Sequence, residues 1–156
     1  MRIDQYTKLI GRKVLLVPYR RHQNEELRRL TASERLSLEE EYEMQARLLV
    51  GDVNIFINGS IGELTVVIAE SKWRRKGLGE ETVWIMLRFV FQVIGLRAFE
   101  VKISKDNVSS LKLFQKIGFV VTSQCSKFHE YTSSIGAQHI LEIISRLEVT
   151  VDNDGN

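Results

Sequence analysis

The sequence has few of the features that mark disulfide-stabilised, metal-binding, membrane or nucleic-acid-binding proteins. One cysteine, Cys125, occurs among 156 residues, which excludes an internal disulfide, and no cysteine–histidine cluster has zinc spacing. The 22 basic and 20 acidic residues sum to a net charge of only +2, too balanced for a protein that binds nucleic acid through its overall charge. Without a signal peptide or an apolar run of membrane length, we expect a cytoplasmic protein, with the nucleus as the alternative, and no membrane partner.

Proline is equally scarce, and nothing in the composition divides the chain. The only proline, Pro18, lies near the end of a short strand predicted at residues 14–19, and there are no repeats or low-complexity segments. A chain of this length suffices for one domain with its own hydrophobic core. We therefore predict a single domain at residues 1–151, followed by a short polar tail at residues 152–156.

The hydrophobic pattern alternates between strand and helix periods along the centre of the chain. The strand predicted at residues 64–69 is apolar on both faces, which indicates a central position in a sheet. The alternation of strands and helices is typical of an α/β fold with right-handed crossovers. The other predicted elements are helices at 37–49, 80–94 and from Asn107 or Ser109 to Lys116, and strands at 52–58, 99–103, 119–121 and 128–132, the last containing His129.

A basic, glycine-containing loop lies between the predicted central strand and the buried helix. Glycines let the backbone approach a ligand closely, and the first turn of a helix offers unpaired amides to a phosphate. The loop lacks the Gly-x-x-x-x-Gly-Lys-Ser/Thr spacing of a Walker motif. It also lacks the third glycine of the dinucleotide fingerprint, because position 82 is Thr82. A basic turn without a ligand is the alternative interpretation. The predicted phosphate-binding residues are Arg74, Arg75, Lys76, Gly77, Leu78 and Gly79.

A second motif, at residues 107–119, reads Asn-Val-Ser-Ser-Leu-Lys-Leu-Phe-Gln-Lys-Ile-Gly-Phe. This block resembles the Asn-x-x-Ser…Lys-x-Gly-Phe signature of the GNAT (Gcn5-related) acetyltransferases. The spacing Arg74-x-x-Gly77-x-Gly79 resembles the loop with which that family holds the diphosphate of acetyl-CoA. The two blocks occur in the family's order, and the resemblance covers residues 50–121. Within the family, the chain is most similar to the enzymes that acetylate the amino termini of proteins.

The resemblance implies a GNAT-like mixed central sheet flanked by helices, in which the fourth strand and the next one splay apart. It implies acetyl-CoA as co-substrate, with its pantetheine arm paired to the strand at 64–69. The acceptor would be a protein amine, with tubulin as a candidate, and it would attack the thioester directly while a backbone amide of the fourth strand stabilises the oxyanion. The residues implied to bind acetyl-CoA are Val67, Ile68, Ala69, the loop residues 74–79 and Asn107.

The energetics of deprotonation favour an α-amine as the acceptor. At pH 7 an α-amine of pKa near 8 costs about 1 kcal/mol to deprotonate, whereas a lysine costs about 4–5 kcal/mol. An α-amine therefore needs only a modest base. We expect Glu63, at the start of the fourth strand, to be this base, directly or through water; a purely structural role at the strand edge is the alternative. Asp52 is a weaker candidate.

The sequence departs from the family pattern at a catalytic position. Many relatives place a tyrosine four residues before the Gly-Phe pair to protonate the leaving thiolate, and this position is Phe114 here. For a thiol of pKa about 8.5, leaving as the unprotonated thiolate at pH 7 costs only about 2 kcal/mol, so the absence of the tyrosine is tolerable. Tyr131 is the candidate replacement.

Both ends of the domain also depart from the family. The amino-terminal part is too short for the usual first helix and second strand, and a helix-like stripe at residues 135–145 precedes a final strand at 147–151. The fold expectation is therefore a GNAT-like domain with a shortened amino-terminal part and an atypical carboxyl end, as in a shortened or alternatively spliced form. A catalytically impaired CoA-binding or scaffolding protein is the alternative function. Nucleic-acid binding through residues 74–76 is disfavoured because no aromatic platform accompanies the cations.

Overall fold

A computed structural model describes residues 8–17, 51–68, 71–145 and 150–152. The helix predicted at 37–49 and the predicted cofactor residue Ala69 lie outside these ranges. The strands are β1 (Lys8–Ile10), β2 (Leu15–Leu16), β3 (Gly51–Asn58), β4 (Ile61–Ile68), β5 (Ala98–Ser104), β6 (Val120–Cys125), β7 (Glu130–Gly136) and β8 (Thr150–Asp152). The helices are α1 (Leu78–Phe89), α2 (Val108–Ile117) and α3 (Ala137–Ile144), with a 3₁₀ turn at Ser71–Trp73 and a π-helical turn at Val90–Ile94 that extends α1.

The main sheet has five strands in the order β3-β4-β5-β7-β6. Only the β4–β5 pair is parallel, because α1 carries the chain back across the sheet between these two strands. The β3–β4 hairpin turns at Asn58-Gly59, as predicted, with Gly59 at φ +59°. The mixed α/β architecture is thereby confirmed. Strand β4 is internal as predicted, but β5 is the central strand, and Val67 on the second face of β4 is 55% exposed.

The hydrophobic core lies on one face of the main sheet, which we call the inner face. Alternate residues of β5 point to this face, so that Phe99, Val101 and Ile103 are buried while Lys102 between them is exposed. Residues from all three helices join the same core, which indicates that α1, α2 and α3 pack on this face. The buried core residues are Leu64, Val83, Leu87, Val90, Phe91, Phe99, Val101, Ile103, Phe114, Ile117, Phe119, Ile135 and Ile140.

A second, three-stranded sheet has the order β2-β1-β8, and all of its pairs are antiparallel. Its β1–β2 hairpin packs against α1, because a Cβ added to Gly11 would lie only 2.5 Å from the Cδ1 of the buried Ile85. The strand expected near residues 147–151 is β8, and its pairing with β1 places it outside the main sheet. The atypical carboxyl end therefore has a defined partner in the amino-terminal hairpin.

Several predicted boundaries were wrong. Strand β7 begins at Glu130 rather than at residue 128, and His129 lies in the preceding turn at φ +51°. Phe128 is 67% exposed and contributes no buried face to a strand, so its apolar character was misleading. Helix α1 begins at Leu78, two residues before the predicted start at residue 80, because Gly77 adopts the left-handed conformation immediately before the helix. Among the described residues, no helix is long and apolar enough to span a membrane.

Candidate active site

Strands β4 and β5 separate partway along their length. Their register pairs Ile61 with Ala98 and ends at Glu63 opposite Glu100, and no later pair forms between the described residues of the two strands. Strand β4 continues to Ile68, where it remains paired only with β3. The splay implied by the family resemblance is thus present. It leaves one backbone edge of residues 64–68, including Val67 and Ile68, facing an opening in the sheet.

The amino terminus of α1 lies directly after this opening along the chain and has no side-chain cap. Its Ncap residue is Gly77, and the first intrahelical bond is donated by the Glu81 amide to the Gly77 carbonyl at 3.2 Å. The amides of Leu78, Gly79 and Glu80 therefore have no partner within the helix. By contrast, the side chain of Asn107 caps α2 by accepting a hydrogen bond from the Ser110 amide at 3.1 Å. An uncapped helix start attracts an anion.

The loop before α1 has an unusual backbone conformation. Gly77 adopts φ +79°, and Arg75, which is not glycine, adopts φ +60°. Left-handed conformations are uncommon for residues with a Cβ, so the loop is shaped at some conformational cost. Arg74 donates its Nε to the Ile68 carbonyl at 2.9 Å, which ties the loop to the end of β4. The predicted phosphate-binding residues thus form one loop joined to the opening.

The ring of Trp73 contacts two lysines at this loop. The Lys76 ammonium lies 4.7 Å from the centre of the Trp73 ring, and that of Lys72 lies 5.9 Å from it. The indole Nε1 is buried and has no hydrogen-bond partner in the described part of the chain. Trp73 therefore acts as a packing surface for the two lysines.

Glu63 lies at the point where β4 and β5 separate, on the face opposite the inner core. Its carboxylate accepts a hydrogen bond from the Lys102 ammonium at 2.6 Å. This hydrogen bond is the main reason that the pKa of Lys102 is raised above 10.5. Burial opposes the rise, and the charges of Glu63, Glu100 and Glu130 add to it. The predicted base is thus one member of an ion pair at the base of the opening.

The raised pKa of Lys102 predicts a specific pH dependence of stability. Because the folded pKa exceeds the unfolded value of 10.5, the pair stabilises the fold fully below that pH and loses its effect as the pH rises through the folded pKa. We expect the difference in unfolding free energy between wild type and Lys102→Met to shrink above pH 10.5. Urea unfolding of both proteins across this range measures it. A difference that stays constant through the alkaline range would contradict the assignment.

Phe114 stands at the position of the family's tyrosine, and Tyr131 is its candidate replacement; they lie on α2 and β7, respectively. Phe114 is 4% exposed and packs edge-to-face on Phe119, with 5.1 Å between ring centres, so it belongs to the core. Tyr131 is on β7, opposite Ile103, and the Lys105 ammonium lies 5.0 Å from its ring. Strand β5 separates Tyr131 from β4. The structure therefore places Tyr131 two strands from β4 and leaves Phe114 in the core.

The remaining sequence candidates occupy peripheral positions. Asp52 is exposed on β3, opposite Val67, and accepts a hydrogen bond from the Asn54 side-chain amide at 2.7 Å. Asn107 is exposed directly after β5, where its side-chain oxygen is engaged in capping α2. The geometry gives Asn107 a structural role that the family signature alone does not reveal.

Three residues near the site were missed by sequence reasoning. Lys13 donates to the Lys76 carbonyl at 3.3 Å, Glu81 holds the turn that carries Lys13, and Lys102 pairs with Glu63. Each contact joins residues at least 39 positions apart. Local motif spacing carries no signal for such contacts.

The fold and the loop define a class of enzyme, which comparison with known proteins confirms. Residues 12–120 match the family model described as the acetyltransferase (GNAT) domain. The chain belongs to the GNAT family of acyltransferases.

The curated relatives are named for a particular member of this family. The human protein named alpha/beta-tubulin-N-acetyltransferase 9 is 37% identical, and the alignment covers 100% of this chain and 98% of that protein. The Caenorhabditis elegans N-acetyltransferase 9-like protein is 33% identical over 93% of this chain and 94% of its own length. The human alignment runs over 203 positions, more than the 156 residues of this chain, so some positions of the relative have no counterpart here. The predicted shortening agrees with this difference.

Solved structures share the fold at low sequence identity. The spermidine N-acetyltransferase from Vibrio cholerae, in complex with CoA and spermine, has a TM-score of 0.57 and 14% identity over 88% of this chain and 99% of that chain. Mycobacterium smegmatis RimJ, in complex with CoA-disulfide, has a TM-score of 0.52 and 17% identity over 64% of this chain and 56% of that one. These similarities establish the architecture.

Proposed function

We propose that this chain transfers the acetyl group of acetyl-CoA to the amino-terminal α-amine of a protein, with tubulin as the candidate acceptor. The observation that carries the proposal is the opening between β4 and β5 beside the uncapped amino terminus of α1. An opening with an unpaired backbone edge suits an extended amide-bearing arm, and an uncapped helix start suits a diphosphate. The relatives named as tubulin N-acetyltransferases support the choice of acceptor.

The residues available to bind acetyl-CoA fall into two groups. Val67 and Ile68 at the end of β4 would pair with the pantetheine arm through their backbone, and the family resemblance adds Ala69, which lies outside the described residues. Residues 74–79 would hold the diphosphate through backbone amides, aided by the positive charges of Arg74, Arg75 and Lys76. Asn107 would contribute by shaping the start of α2.

The chemical step requires a base and a stabilised oxyanion. The acceptor nitrogen forms a bond to the thioester carbonyl carbon, the carbon–sulfur bond then breaks, and the thiolate leaves. Glu63 would accept the proton of the amine, directly or through water. A backbone amide of β4 would donate to the oxygen as its negative charge develops. Lys102 holds the Glu63 carboxylate at the base of the opening.

The experiment that tests this function uses two matched peptides with acetyl-CoA. One carries the amino-terminal sequence of tubulin with a free α-amine and no lysine, and the other has a blocked amino terminus and one lysine. Release of CoA with the first peptide and not with the second is expected, because the α-amine is the easier nitrogen to deprotonate. Faster turnover of the lysine peptide would overturn the α-amine assignment.

A CoA-binding or scaffolding role is the second candidate. It is favoured by Phe114, whose core position leaves the family's usual acid without an equivalent at that helix position. Binding of acetyl-CoA without turnover of either peptide, or of purified tubulin, would support this role over catalysis.

A further inference from the structure

The turn of the amino-terminal hairpin is fixed against the start of α1. The Gly11 amide closes the turn by donating to the Val14 carbonyl at 2.9 Å. The Glu81 carboxylate accepts the amides of Arg12 and Lys13, both at 2.8 Å. Because Gly11 also packs directly on α1, the turn has little freedom to move relative to the helix. The hairpin is thus a fixed wall beside the phosphate-binding loop.

This wall places the Lys13 ammonium at the loop itself. Its Nζ lies 3.3 Å from the Lys76 carbonyl oxygen, and only 3.1 Å from the position that a Cβ on Gly77 would occupy. An ammonium has three donors, and the Lys76 carbonyl occupies one of them. Lys13 is exposed, so the others can reach a ligand.

The surrounding charges favour an anion at this position. A cation beside a helix amino terminus meets the positive end of the helix dipole, which is unfavourable unless an anion lies between them. The two carboxylates of the first turn of α1 are both engaged elsewhere. Glu80 pairs with Lys116 at 2.6 Å, and Glu81 binds the hairpin amides. Neither acid is therefore directed at a phosphate held by the loop.

We propose that Lys13 binds the diphosphate of acetyl-CoA, and that Glu81 positions it by holding the hairpin turn. This inference rests on the proposed function, because it assigns a further residue to the same cofactor site. It makes the site a composite of the Gly77 loop and a hairpin from the other sheet. The hairpin would then contribute directly to affinity for the co-substrate.

The test compares two lysine variants that change the net charge equally. Lys13→Met removes the proposed ligand, and Lys8→Met removes an exposed lysine from β1 of the same hairpin. We expect Lys13→Met to weaken acetyl-CoA binding about tenfold in calorimetry, as for the loss of one charge-assisted hydrogen bond, and to reduce the salt dependence of binding. Lys8→Met should bind within about twofold of wild type. Thermal unfolding checks that all variants fold.

Dephospho-CoA, which lacks the 3′-phosphate, identifies the phosphate concerned. The same tenfold loss with this ligand supports binding to the diphosphate, whereas disappearance of the loss overturns it by assigning Lys13 to the 3′-phosphate. Equal affinity of wild type and Lys13→Met also overturns the inference, and leaves the proposed function intact. Absence of acetyl-CoA binding by the folded wild type overturns the proposed function and this inference with it.

Discussion

Replacing Gly77 by glutamate is expected to abolish measurable binding of acetyl-CoA, weakening it at least about 100-fold. The substitution adds a carboxylate at the amides proposed to hold the diphosphate, where two negative groups would compete for one site. The added side chain also meets Lys13, whose Nζ lies 3.1 Å from the new Cβ, and draws that ammonium into an ion pair. Calorimetric titration of the folded variant measures the effect.

Gly95→Glu is the matched control for this substitution. Gly95 also lies in the left-handed region, at φ +89°, and a Cβ there meets nothing within 4 Å. Both variants therefore carry a similar backbone penalty of about 1–2 kcal/mol, and only one lies at the proposed site. Gly95→Glu should bind acetyl-CoA like wild type. Equal loss of binding in both variants would trace the effect to stability and remove the support for a cofactor site at Gly77.

Glu63→Gln is expected to lower kcat about 100-fold while leaving the affinity for acetyl-CoA unchanged. Glutamine keeps the size of the side chain and can still accept a hydrogen bond from Lys102, but it cannot take up a proton from the amine. Activity of the variant should rise with pH toward the pKa of the α-amine, near 8, because solvent then supplies more of the free amine. Steady-state rates from pH 6 to about pH 9 measure both effects.

Lys102→Met separates catalysis by Glu63 from a structural role of the ion pair. This variant removes the 2.6 Å contact altogether and retains the Glu63 carboxylate. If Glu63 is the base, Lys102→Met should keep most of the activity that Glu63→Gln loses. Equal losses in the two variants, with no rise of activity with pH, would mean that the ion pair serves structure alone.

Local patterns predicted the central elements of the fold well. The alternation of Phe99, Val101 and Ile103 correctly predicted a strand with one buried face, and all three residues are in the core. Asn107, one of the two residues predicted to start α2, is its N-cap, and the predicted end at Lys116 is one residue short, since both boundaries depend on neighbouring residues. The family motifs predicted the splay between β4 and β5, which the strand register contains.

Contacts between distant segments could not be predicted in the same way. The pairing of β8 with β1 joins the two ends of the described chain, and no local pattern at either end specifies its partner. The same applies to Lys13 and Lys76, which come together through a tertiary packing of Gly11 on Ile85. The turn at His129 was missed because the apolar Phe128 imitates a strand residue while remaining exposed to solvent.

The early end of the β4–β5 pairing also has a consequence for hydrogen exchange. Beyond Glu63 and Glu100, the edges of β4 and β5 that face each other form no hydrogen bonds with each other. The amides on these edges should therefore exchange quickly with solvent deuterium in the free protein. A co-substrate arm that takes the place of a missing strand would supply those partners. Acetyl-CoA should therefore slow exchange of those amides of residues 64–68 that face the opening, while leaving the amides bonded between β5 and β7 unchanged, which makes the sheet itself a reporter of occupancy.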